Sequence, residues 1–218
     1  MRYITKYLLY FLVISFYACL LISSTVLAEN SETKTENTLA NKIYYTSVNI
    51  WYESPDKIPS TNYHKGPKLP IGTKVKIISV GNRKIQFVPV DTSLTFTIVQ
   101  QRKHCIIKLK ELFDRYFSEK DILGQEGYLH NLTEKEKECV NNGTISHGMS
   151  KVAVLMAYGY PPSHKTPLLS SDVWHYWHSR FEMVDVHFKN DKVYKIERIE
   201  PVLPGMKRKK VESVSGDV

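Results

Sequence analysis

Hydrophobic positions along the 218-residue chain change their spacing several times, and each change marks a different element. The first stretch has no period: Tyr7 to Ile22 is an almost unbroken apolar run, preceded by Arg2 and Lys6 and followed by Val26-Leu27-Ala28 and the polar Glu29-Asn30. That order of charged, apolar and small residues predicts a cleavable secretory signal over residues 1–28. An uncleaved anchor is the alternative, because Tyr7 to Leu27 supplies the roughly 20 apolar residues that span a bilayer. Residues 29–41 are polar and free of aromatics, which predicts a flexible linker. From Ile43 to Tyr52 the chain is aromatic and β-branched, and a turn-rich segment from Ser54 to Gly72 follows, with Pro55, Pro59, Gly66, Pro67 and Pro70. Strand patterns resume over Thr73–Val80, Lys84–Val90, Leu94–Val99 and a short piece around Ile106, broken by Gly81-Asn82 and Asp91-Thr92. Short strands punctuated by turns predict a small barrel or sandwich.

The period then becomes helical. Leu109, Leu112, Phe113, Tyr116 and Phe117 share one helix face, so residues 42–120 read as a small β-module with a packing helix. Ser118 to Leu132, with Gly124 and Gly127, is a poorly patterned connection. A second module, residues 133–200, opens on Thr133 and Glu136, spaced as a capping box, and its first helix stops at Asn142-Gly143. Ser150 is the expected cap of a second helix that ends before Gly159, with Val152, Leu155 and Met156 on one side. After Tyr160-Pro161-Pro162 the pattern alternates over Val173–Ser179, Met183–Phe188 and Lys192–Ile199, with a hairpin turn at Asn190-Asp191. Val184, Val186 and Phe188 fall on one face and Asp185, His187 and Lys189 on the other, which predicts an antiparallel sheet covered by helices on one side. Residues 204–218 carry Lys207-Arg208-Lys209-Lys210 without apolar periodicity and read as a disordered basic tail. The fold class is therefore α+β.

The stretch Ile145-Ser146-His147-Gly148-Met149-Ser150 through Gly159-Tyr160-Pro161, then Trp174-His175-Tyr176 and Val186-His187-Phe188 through Lys192 to Ile196, resembles the BamE-like (SmpA/OmlA) family. The likeness lies in a Gly-Met-Ser helix start, a Gly-x-Pro helix end, a Trp-x-Tyr strand and a final hairpin, in order. It implies an αα-plus-three-strand module of an envelope protein that assembles or stabilises outer-membrane machinery by protein contacts, without chemistry of its own. Similar modules also occur in proteins that bind and inhibit enzymes. Two departures stand out: Cys19 follows Phe16-Tyr17-Ala18, a poor lipidation site, and an additional module precedes the resembling region. That earlier module, through its strand spacing and Leu69-Pro70-Ile71-Gly72-Thr73-Lys74-Val75, resembles bacterial SH3-like domains, small barrels that bind cell-wall peptide or partner proteins in the envelope.

Charge and reactive side chains narrow the function classes. Removing residues 1–28 takes Arg2 and Lys6 and no acid, leaving 28 basic and 22 acidic residues and a net charge of +6. That field favours anionic surfaces, so weak contact with an anionic membrane is an expectation beside envelope proteins or cell-wall polymer as partners. No nucleic-acid partner and no cofactor is expected. Cys105 and Cys139 remain after cleavage; an exported chain with two cysteines is expected to pair them, with two buried free thiols as the alternative. His147, His164, His175, His178 and His187 lie in the second module but show no metal-site spacing, and His175 and His178 should point to opposite faces of a strand. No Gly-x-Ser-x-Gly, P-loop or dinucleotide glycine motif is present. The expected function is a non-enzymatic binding or assembly protein of the envelope, periplasmic or secreted. A secreted enzyme inhibitor or effector is the alternative, and a metal-dependent hydrolase comes third. Docking is expected through the turn-rich segment and through Tyr160, Pro161, Pro162, Trp174, Tyr176 and Trp177, since tyrosine and tryptophan anchor interfaces.

Overall fold

The computed structural model describes residues 39–61, 63–124 and 128–199. The expected signal at 1–28, most of the expected linker and the basic tail lie outside the described residues. The protein is α+β, and the described residues between Asn41 and Ile199 form one compact unit. A curled six-stranded sheet contains β1 (Ile43–Thr46), β3 (Ile58–Pro59), β5 (Lys74–Gly81), β6 (Lys84–Pro89), β7 (Phe96–Val99) and β8 (Phe117–Ser118), in the order β3-β7-β6-β5-β1-β8. All neighbours are antiparallel except β3 with β7. A separate ribbon pairs β2 (Ile50–Trp51) with β4 (Lys68–Leu69). The tight turn between β5 and β6 sits on Asn82 and Arg83, both at positive φ, the conformation whose twist matches the flanking strands.

Alternation sorts the faces of the curled sheet. Val75, Ile77, Ile85, Phe87 and Ile98 point inward and are buried. Helix α1 (Leu109–Tyr116) closes this core with Leu112, Phe113 and Tyr116, and Phe113 meets Tyr44 edge-on at 5.0 Å. Phe117, expected on the helix, starts β8 instead and packs on Phe87. No strand forms at Ile106. The amides of His104 and Cys105 both donate to the Gln101 carbonyl, so the chain turns there, and Ile106 is exposed.

The second half follows the sequence pattern closely. Helix α2 (Glu134–Asn142) starts in a full capping box between Thr133 and Glu136 and ends on Gly143 at φ +73°. Helix α3 (Lys151–Tyr158) is capped by Ser150, whose side chain accepts from the Ala153 amide. Strands β9 (Val173–Trp177), β10 (Met183–Lys189) and β11 (Lys192–Ile199) form an antiparallel sheet in the order β11-β10-β9, with Asn190 and Asp191 both at positive φ in the hairpin. Val184, Val186, Phe188, Val193 and Ile196 form a core with the helices, as the alternation requires. The side of α3 that carries Val152, Leu155 and Met156 is not uniformly buried. Val152 is exposed, and Ala153, Val154, Met156, Ala157 and Tyr158 are buried, because α3 is covered by more than its own sheet.

The extra cover comes from the other half of the chain. Asn49, fully buried between β1 and β2, donates from Nδ2 to the Val140 carbonyl at 2.7 Å and to the Ala157 carbonyl at 2.9 Å. Its Oδ1 accepts from the Ile71 amide at 2.9 Å, and its own amide donates to the Met156 carbonyl. One side chain thus satisfies the Ala157 carbonyl in the last turn of α3 and gives the Val140 carbonyl in the last turn of α2 a shorter bond than the Gly143 amide makes to it. Ile71 and Ile122 join the helix–sheet core.

A second buried polar group ties the helix starts together. Glu136, 4 % exposed, accepts from the amides of Thr133 and Ser150 and lies 3.4 Å from Lys192 Nζ. Burial alone would raise its pKa, but the hydrogen bonds from Ser150 and Thr133 outweigh that and hold it at about 2. The depressed value means the carboxylate stabilises the fold above the ordinary range and loses that contribution as pH falls from about 4.5 towards 2. Glu136→Gln is expected to cost about 2 kcal/mol at neutral pH, measured by urea unfolding, with the deficit shrinking at low pH.

Candidate functional site

The end of β2 runs into the turn-rich segment, and there the chain opens a cleft of about 220 Å³. Its walls are Trp51, Tyr52, Pro59 and Tyr63, and its rim carries Glu53, Ser54, Asp56 and Lys57. Each aromatic is held from behind. Tyr52 sits edge-on to Phe96 at 5.0 Å, and its amide donates to the Pro67 carbonyl. Trp51 pairs across the ribbon with Lys68 and lies against Gly143, where an added Cβ would come within 2.7 Å of its ring. Glycine at this helix cap therefore serves both the left-handed backbone and the seat of Trp51. Tyr63 stacks on Trp177 of β9 at 5.7 Å. The rim is tightened by Ser54, whose hydroxyl donates to Asp56.

Behind the cleft, His64 plugs the contact between the halves. It is 7 % exposed, stacks on Tyr158 with ring centroids 3.4 Å apart, and meets Trp51 edge-on at 5.6 Å. Its Nε2 donates to the Tyr158 carbonyl at 2.7 Å, which fixes the neutral tautomer, and its amide donates to the His178 carbonyl. Burial pushes its pKa down to about 3, against the opposing pull of the Tyr158 and Trp177 carbonyls. The turn-rich segment, expected as a free docking loop, is therefore partly an internal fastening.

The expected interface residues separate in the same way. Trp174 and Tyr176 are each 1 % exposed and belong to the core under the helices, with Tyr176 donating its hydroxyl to the Gly159 carbonyl. Pro161 and Pro162 are buried, and Tyr160 is half-buried beneath the Arg115 guanidinium, 5.0 Å from its ring. These five do not form an exposed anchor. The helices lie on the side of β9 to which Trp174 and Tyr176 point, and of the expected anchors Trp177 lies on the other face. Trp177 is half-buried among Tyr63, His104 and His164. The cleft residues Trp51, Tyr52, Tyr63, Glu53 and Asp56 were not singled out by sequence reading. The signal for them was the sequence Trp51-Tyr52-Glu53, where two aromatics and an acid enter a proline-rich turn.

The expected disulfide is also corrected. Cys105 and Cys139 are separate buried thiols. Cys139 lies on α2 with its Sγ 3.5 Å from the Ser146 hydroxyl, whereas Cys105 sits in the turn before α1, near the Gln100 amide. The histidines are dispersed as the strand geometry requires: His175 pairs with Asp185 at 2.7 Å on the open face of the sheet, and His178 approaches the Tyr158 hydroxyl on the other side. His187 pairs with Glu197 at 2.8 Å. Among the described residues, no group of three or more His, Cys, Asp or Glu could hold a metal ion.

In comparisons with known proteins, no family model, no curated protein and no solved structure matches this chain. The cleft must then be judged on its chemistry. Three aromatic rings offer apolar faces and two phenolic hydroxyls, and two carboxylates against one ammonium give its mouth an acidic bias in a chain with net charge +8. That combination suits an extended peptide with a basic side chain.

Proposed function

We propose that the protein is an exported, non-enzymatic binding protein of the cell envelope that captures a peptide segment of a partner protein or of the cell wall in the aromatic cleft. In this reading the curled sheet is an SH3-like barrel and the helix–sheet half is a BamE-like module that braces it. The observation that carries the proposal is the cleft itself: rigidly backed aromatic walls at the rim of a small sheet, with hydrogen-bonding groups at its mouth. The rings present large contact area at small conformational cost, because each is already held by Phe96, Gly143 or Trp177.

The test is capture of partners from envelope extract on immobilised protein, followed by competition with synthetic peptides. Tyr63→Ala is expected to weaken capture at least tenfold, consistent with loss of an interface anchor worth more than about 1 kcal/mol. Asp56→Lys is expected to weaken basic peptides more than neutral ones. Retention of full capture by both variants, measured with thermal unfolding alongside, would exclude the cleft as the binding site. Recovery of a single enzyme whose activity falls on binding would favour the inhibitor reading instead.

A further inference from the structure

The outer face of the curled sheet presents a second surface, independent of the cleft. Strand register sets its layout: Tyr45 of β1 lies opposite Lys74 of β5, Ile43 lies opposite Lys76, and Lys76 lies opposite Val88 of β6. The Val90 amide donates to the Lys74 carbonyl, which adds Val90 to the same row. Alternation along β5 puts Ile78 on the same outward side as Lys74 and Lys76, ahead of a bulge between Ile77 and Ser79. Ile43, Ile78 and Val90 are 43 %, 41 % and 50 % exposed, and Lys74 and Lys76 are exposed between them. The outward positions of β1, β5 and β6 include no carboxylate, and α1 packs on the opposite side of the sheet.

We propose that this face seats the protein on an anionic lipid bilayer. A hydrated anionic polymer would answer the lysines and leave the aliphatics unmatched. The interfacial zone of a bilayer answers both: Ile43, Ile78 and Val90 meet the acyl boundary while Lys74 and Lys76 extend their stems along it and place their ammonium groups among the headgroup phosphates. The two lysines are two residues apart on one strand, about 7 Å, a spacing that lets them meet separate headgroups. On the surface of the curled sheet this leaves the cleft as a separate site, so a membrane-bound protein can still take a peptide.

The test is co-sedimentation of the mature chain with phosphatidylcholine vesicles, with and without phosphatidylglycerol. Sedimentation is expected only with phosphatidylglycerol present and should weaken as salt is added. Lys74→Gln with Lys76→Gln is expected to lower partitioning about 25-fold, near fivefold per lysine, and Lys74→Arg with Lys76→Arg should retain it. Ile43→Ser with Val90→Ser, which leaves every charge in place, is expected to lower it several-fold. A parallel variant with Lys207, Arg208, Lys209 and Lys210 changed to Gln controls for the basic tail. Equal binding to both vesicles, no binding to either, or a loss confined to the tail variant would overturn the proposal. These outcomes are separable from failure of the cleft, because Tyr63→Ala should leave vesicle binding unchanged.

Discussion

Asn49→Ala should lower the unfolding free energy by about 4 kcal/mol, among the largest effects expected of any single polar substitution here. The wild-type side chain makes three buried hydrogen bonds, and alanine keeps none of them. The Ala157 carbonyl and the Ile71 amide would stay buried with their partner gone, and the Val140 carbonyl would lose its shortest bond. Each such group costs about 1–3 kcal/mol. For a domain of this size the melting temperature should fall by about 10 °C. Asn49→Asp is a stringent companion. It keeps an acceptor for the Ile71 amide but turns a carboxylate towards two carbonyls, so it should be no more stable than alanine. If Asn49→Asp unfolds at the wild-type urea midpoint, the side chain does not bridge the helix ends as described.

Acid should weaken the fold well above the range in which carboxylates titrate. His64 is neutral in the fold, with its pKa lowered to about 3 from the ordinary 6.5. In the unfolded chain it takes up a proton below 6.5, so between 6.5 and 3 the unfolded state binds more protons and stability falls as pH falls. The full loss is on the order of 5 kcal/mol, reached below about pH 3. His104 is lowered by burial and by its neighbours His164, Lys103 and Lys165, and it pulls in the same direction. Glu136 begins to contribute only below about 4.5, so the slope between pH 6.5 and 5 isolates the histidines. His64→Gln can still donate to the Tyr158 carbonyl but carries no titrating group. Its stability should therefore decline less steeply than the wild-type curve across that interval in urea titrations, with the remaining slope left to His104.

Where the sequence carried local rules, the fold was legible. Thr133 and Glu136 announced a capping box, Asn190-Asp191 a tight hairpin, and the alternation of Val184, Val186 and Phe188 a one-sided sheet, because each rests on contacts within a few residues. The site was harder to read because it depends on contacts between distant segments. Alternation separates Trp174 and Tyr176 from Trp177, yet cannot say which side the helices cover. The helical pattern of α3 places Val152, Leu155 and Met156 on one side but could not reveal that Asn49 and the strand-flanking turns would bury its second side and leave Val152 exposed. The turn-rich segment carried the usual marks of a surface loop, and nothing in its own residues shows that His64 inserts between Tyr158 and Trp51. The two cysteines gave only a parity argument, which says nothing about distance.

The stack of Tyr63 on Trp177 also gives the protein an optical reporter. Of three tryptophans in the chain, Trp51 lines the cleft, Trp177 backs its far wall, and Trp174 is sealed in the helix–sheet core. A ligand that displaces water from the cleft changes the surroundings of the first and shifts the ring stacked on the second, while the third emits as before. Intrinsic fluorescence should therefore follow occupancy without any label, and the unchanged buried component supplies the internal reference.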